Sequence, residues 1–113
     1  MSDFDESEIS RLRTLKEGYR DRLLYDTLPF WLRYGVDHQH GGIMTCLDQN
    51  GAIVDTDKGV WQQARFAWLM AELYNHVEPR GDWLELAVNT AAFISSCAFD
   101  PADRRMWFQL TQD

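Results

Sequence analysis

Arg65 is the residue best placed by type and position to do chemistry, because it is the only Lys or Arg between Gly59 and Glu78. Trp61 lies four residues before it and Trp68 three residues after, and Glu72 continues the same helical stripe. Val60, Ala64, Ala67, Ala71 and Tyr74 form a second stripe, and Phe66, Leu69, Leu73 and Val77 a third. A helix apolar on two stripes and aromatic on the other reads as buried on most sides. A buried guanidinium is costly unless paired or hydrogen-bonded. The partner of Arg65 is therefore either a carboxylate of this chain or the oxygens of a ligand.

The other candidates carry less. His38 and His40 have a spacing that suits a metal on a strand, but their loop setting reads as a solvated pair, so no metal is expected. Asp55 and Asp57 resemble the carboxylate pair of glycoside hydrolysis. Capping and loop hydrogen bonds explain them better. Lys58 beside them reads as an exposed charge pair of little energy. Cys46 and Cys97 have no CxxC partner and read as free, buried thiols.

These residues must be positioned by a small set of elements. The periodicity predicts a helix from about Ser7 to Tyr34, with Ile9, Leu12, Leu15, Tyr19 and Leu23 on one face. Pro29 is expected to kink or split it. Ile43–Leu47 and Ala52–Val54 read as a hairpin about Asn50-Gly51. Thr56 or Asp57 is expected to cap a helix running from about Gly59 to His76. Pro79-Arg80-Gly81 breaks that helix. Asp82 with Glu85 then reads as a capping box opening a third helix. Trp83, Leu86, Ala87, Thr90, Phe93, Ile94 and Cys97 make its inner face. Met106–Thr111 reads as a final strand with no return strand, so the chain is expected to be cut off. The order hints at repeated helical hairpins without showing a repeat.

Composition narrows the partners. In 113 residues there are 11 Lys and Arg against 18 Asp and Glu, a net charge of −7. That excess argues against nucleic acid and anionic membrane, since both need a basic patch. No apolar run is long enough to span a bilayer. Asp3, Asp5, Glu6 and Glu8 do not suit a targeting peptide, so the cytoplasm is the expected compartment. Aromatic residues are 13% of the chain, which suits a core or a pocket where rings stack on sugar faces.

Three stretches carry a resemblance in order. They are Leu28-Pro29-Phe30-Trp31-Leu32, Gly41-Gly42-Ile43-Met44-Thr45-Cys46-Leu47-Asp48, and Asp55-Thr56-Asp57-Lys58-Gly59-Val60-Trp61-Gln62-Gln63-Ala64-Arg65. Trp68, Leu73-Tyr74, Trp83-Leu84 and Phe108-Gln109-Leu110-Thr111 follow. Together they resemble the N-terminal part of the N-acylglucosamine 2-epimerase family. The resemblance implies an all-α fold in which residues 1–113 are the N-terminal fragment of one (α/α)6 barrel domain with short β-hairpins at one end. It implies epimerisation at C2 of an open-chain sugar, of the N-acyl-D-glucosamine to N-acyl-D-mannosamine type, or the related aldose–ketose isomerisation. It places Arg65 on the sugar oxygens near the reacting carbonyl, Trp61 as a stacking surface and Phe108 near the site. The family's catalytic histidines match none of His38, His40 or His76, so no catalytic residue is expected here and the chain alone is expected to be inactive. No cofactor is implied; a nucleotide activator and a homodimer are left open. The alternative is a non-catalytic product that binds a protein partner or itself.

Overall fold

A computed structural model describes residues 3–113. The backbone forms two compact units, the first ending at Arg33 and the second running Tyr34–Asp113. In the first unit, helix α1 (Glu6–Arg22) opens on a capping box. The Asp5 carboxylate accepts from the Glu8 amide at 2.9 Å, and Glu8 accepts from the Asp5 amide at 3.0 Å. This satisfies two orphan donors of the first turn. α1 buries none of its residues, and Leu12, Leu15 and Tyr19 of its apolar face are exposed.

The expected kink or split at Pro29 takes the form of a change of helix type just before it. The helix passes through a π turn (Leu23–Thr27) into α2 (Leu28–Tyr34). The Leu28 amide donates to the Leu23 carbonyl, five residues back. Pro29 has no N–H to continue the ordinary ladder, and the wider turn takes up the mismatch just before it.

The second unit holds the site. Strand β1 (Cys46–Leu47) pairs antiparallel with β2 (Ile53–Asp55) through a bulge. The turn is the expected one: Gly51 has φ +88°, and the Asp48 carboxylate accepts from the amides of Asn50 and Ala52. The first strand is shorter than expected, because Ile43 bridges to Val36 instead. Strand β3 (Lys58–Gly59) leads into helix α3 (Val60–His76), and α4 (Gly81–Cys97) folds back on α3 after the short connection 77–80. Strand β4 (Gln109–Leu110) is not unpaired; Lys58 faces Leu110 and Gly59 faces Gln109 in an antiparallel pair.

The core lies between α3 and α4. Val60, Gln63, Phe66, Met70 and Leu73 are buried on α3, and Trp83, Ala87 and Thr90 on α4. The buried line of α3 thus runs between the two expected apolar stripes. Neither helix carries the expected side-chain cap. Gly59 is the N-cap of α3, and the Val60 amide is taken by the Phe108 carbonyl at 3.1 Å. Thr56 and Asp57 sit too early to reach it. Asp82 already lies inside the first turn of α4, where Arg80 holds its carboxylate at 2.9 and 3.1 Å. Both cysteines are exposed rather than buried. Cys46 lies on a two-residue strand of the small ribbon and Cys97 at the last residue of α4, outside the α3–α4 core.

A repeat is present in the backbone. Val36 bridges Ile43, and Phe99 bridges Met106, each second position lying 63 residues after the first. Gly41 donates to the Asp37 carbonyl and Arg104 to that of Asp100. Asp37 also donates through its amide to Gly42, and Asp100 to Arg105. Both loops use a positive φ at the matching position, +88° at Gly41 and +65° at Arg104.

Candidate functional site

The three residues singled out by the sequence are placed by α3 and by the β3–β4 pair. Trp61, Arg65 and Trp68 share one face of α3, as their spacing requires. The Arg65 guanidinium carbon lies 5.6 Å from the Trp61 ring centre and 5.3 Å from that of Trp68. Phe108 is brought to the start of the same helix by its backbone, since its carbonyl accepts the Val60 amide.

The face is open. Arg65 is exposed, Trp61 and Trp68 are 65% and 55% exposed, and Phe108 is 86% exposed. The expected burial of α3 on most sides therefore does not hold among the described residues, where the extensive cover of the helix comes from α4. Among the described residues Arg65 makes no ion pair. Solvent and two indole faces satisfy it, each face contributing about 0.5–1 kcal/mol at an exposed position. The arrangement is a cation held between two flat apolar surfaces, with no ion pair among the described residues. That is a combination suited to a ring bearing hydroxyl oxygens.

A second cluster escapes the sequence. Lys58, read as exposed, is 6% exposed. Its Nζ donates to Asp37 Oδ2 at 2.6 Å and to the Gly41 carbonyl at 2.7 Å, and lies 5.0 Å from the Phe93 ring centre. Burial pushes the Asp37 carboxyl up, but the Lys58 hydrogen bond and the His40 and Gln39 amides outweigh it and hold it down at about 2. Gln63, fully buried, accepts from the Ile43 amide at 2.8 Å and donates to the Ile43 carbonyl at 2.7 Å. It acts as a strand partner for one residue, and this is why the polar side chain is tolerated in the core. Gly42 is required beside it, since a Cβ there would stand 2.6 Å from Gln63 Oε1 and 2.7 Å from Phe93. The one signal in the sequence is the pair of glycines, which mark close backbone approach.

The remaining candidates take local roles. Asp55 accepts from the Asp57 amide, and Asp57 accepts from Gln109 Nε2 at 2.8 Å. His40 lies 3.4 Å from Asp37, and His76 lies 3.7 Å from Glu72. A cleft of about 490 Å³ opens beside Asp37, His40, Lys58, Phe93, Cys97 and Trp107. Arg65, Trp61 and Phe108 do not line it, and its buried charges are already engaged with each other. Among the described residues no helix is long and apolar enough to cross a membrane.

Comparison with known proteins adds to this geometry. The N-acylglucosamine 2-epimerase (GlcNAc 2-epimerase) family matches residues 41–113. The N-acylglucosamine 2-epimerase of Rattus norvegicus is 36% identical over 93 residues, covering 80% of this chain and 22% of the relative. The protein of the same name from Homo sapiens is 29% identical over 112 residues, covering 94% and 26%. The cellobiose 2-epimerase from Spirochaeta thermophila DSM 6192 superposes with a TM-score of 0.81 at 24% identity, over 95% of this chain and 26% of its own. That from Bacillus thermoamylovorans B4167 gives 0.75 at 22% identity, over 87% and 25%. Those structures are (α/α)6 barrels, and the mostly helical chain has the fold of an N-terminal part of one. It spans about a quarter of the length of these relatives.

Proposed function

This chain belongs to the N-acylglucosamine 2-epimerase family, and from that premise we propose that it supplies one sugar-contacting wall of a 2-epimerase acting on N-acyl-D-glucosamine. The observation that carries the reading is the Arg65 guanidinium, held between Trp61 and Trp68 with no carboxylate partner among the described residues. Trp61 stacks on the sugar, Arg65 donates to O1 and neighbouring oxygens, and Phe108 borders the same face. When a base takes the C2 proton, the electron pair moves into the C1–C2 bond and O1 gains negative charge. A preorganised guanidinium stabilises that charge; return of a proton to the opposite face of C2 completes the inversion.

The acid and base lie outside this chain in this reading. His76 is 11 residues from Arg65 on the same helix, about 16 Å along its axis at 1.5 Å per residue, too far to share one reacting carbon. His40 lies on the loop at 37–42, 3.4 Å from Asp37. Residues 1–113 then form one piece of a single barrel domain and are inactive alone. The exposure of Trp61, Trp68 and Phe108 favours self-association as the behaviour of the isolated chain.

The test is a chimera in which this chain replaces the aligned segment of the rat relative. Arg65→Lys keeps the charge and loses the planar fork. Its turnover is expected to fall about 10²–10³-fold, as for loss of a fixed donor at an oxyanion. A fall in melting temperature with turnover per folded molecule within a few-fold of the parent would make Arg65 structural and refute the assignment.

A further inference from the structure

The β3–β4 pair begins both halves of the proposed sugar face: Lys58 lies three residues before Trp61, and its strand partner Leu110 two residues after Phe108. We propose that the buried Lys58 ammonium is a positioning residue for that face: anchored on Asp37, the Gly41 carbonyl and Phe93, it holds β3 against β4 so that Trp61 and Phe108 are presented together. This rests on the reading of Trp61, Arg65 and Phe108 as the sugar-contacting residues.

The alternative is that Lys58 merely closes the loop at 37–42. The repeat argues against it. The second loop, 100–105, makes the same backbone bonds and the same strand bridge, and its Asp100 accepts the Ala102 amide as Asp37 accepts that of Gln39. The loop's own backbone bonds therefore close it in both places. At the first loop the ammonium brings a strand with it. Lys58 reaches the loop from β3, its backbone is in register with Leu110, and two residues later the Phe108 carbonyl caps Val60. A directional ion pair suits this role, because it fixes geometry where an apolar contact would slide. A buried pair of this kind gains little net stability over an apolar pair of the same size, since desolvation offsets the attraction.

The experiment is amide hydrogen exchange on the full chain and on Asp37→Asn/Lys58→Met. This double variant leaves no unpaired buried charge, and the side-chain carbonyl introduced at position 37 keeps an acceptor for the Gln39 and His40 amides. The Val60 amide is expected to exchange about tenfold faster, while Met70, Leu73 and Gly41 stay within about twofold, as for a local opening. Unchanged Val60 protection in a folded double variant overturns the proposal. If the variant does not fold, the unaltered chain decides in dilute denaturant. There the Val60 and Gly41 amides are expected to share one opening free energy, because the latch ties loop to strand. Val60 opening far more readily than Gly41 overturns the proposal. No sugar is present in either arm, so failure here is distinct from failure of the Arg65→Lys test.

Discussion

Arg65 is legible from composition alone: one cation in an apolar stretch draws attention whatever the fold. Lys58 misleads for the complementary reason. Nothing local distinguishes a lysine beside two aspartates from a solvated charge, and its partner Asp37 is 21 residues away. The pair makes a pH prediction. The Asp37 carboxyl is held at about 2, below its ordinary 3.8. A lowered folded pKa means that the stabilisation is fully present above the ordinary value and is lost as pH falls through about 2. The shift corresponds to about 2 kcal/mol. Urea unfolding between pH 5 and about pH 2 is expected to show that loss in the natural chain, reduced by about this amount in Asp37→Asn. Identical pH slopes in the two proteins would remove Asp37 from the account.

At the scale of elements, boundaries set by local chemistry are legible and those set by distant partners are not. Asn50-Gly51 names its turn correctly, because only a residue free of Cβ strain adopts that backbone cheaply. Gly51→Ala is expected to cost about 1–2 kcal/mol for the left-handed conformation. A Cβ at that position would also collide with the Tyr34 ring, which must move. Thermal unfolding that matches the natural chain would show the turn to be relaxed. The cap of α3 could not be foreseen, because it is a carbonyl from Phe108, far along the chain. The capping box expected at Asp82 is found instead at Asp5 and Glu8, where the register of the first helical residue allows it.

At the scale of the molecule, the exposed rings of α3 and Phe108 decide behaviour in solution. Trp61, Trp68 and Phe108 are each more than half exposed, and apolar patches of this kind drive association. The purified chain is expected to sediment as concentration-dependent oligomers. A single monomeric species at high concentration would contradict this. It is also expected to catalyse no deuterium exchange at C2 of N-acetylglucosamine in D₂O. Acid–base groups commonly supply about 10²–10⁴-fold each, and in the proposed reading they lie outside this chain. Exchange above the protein-free control would put a competent base on this chain.

The sequence by itself determined the helical periodicity, the hairpin turn, the breaks at Pro79-Arg80-Gly81 and the ordered motifs that mark the family. All of these are written in residue type at short spacing. Tertiary structure alone decided which stripe of α3 is buried, that Gln63 serves as a strand partner and that Lys58 is a buried latch. It also revealed the loop repeat, in which a glycine at 41 answers to an arginine at 104 and few residues besides Asp37 and Asp100 coincide. The physical reason is common to these cases. Burial and hydrogen bonding depend on what the chain brings alongside from tens of residues away, and backbone bonds recur without requiring the same side chains.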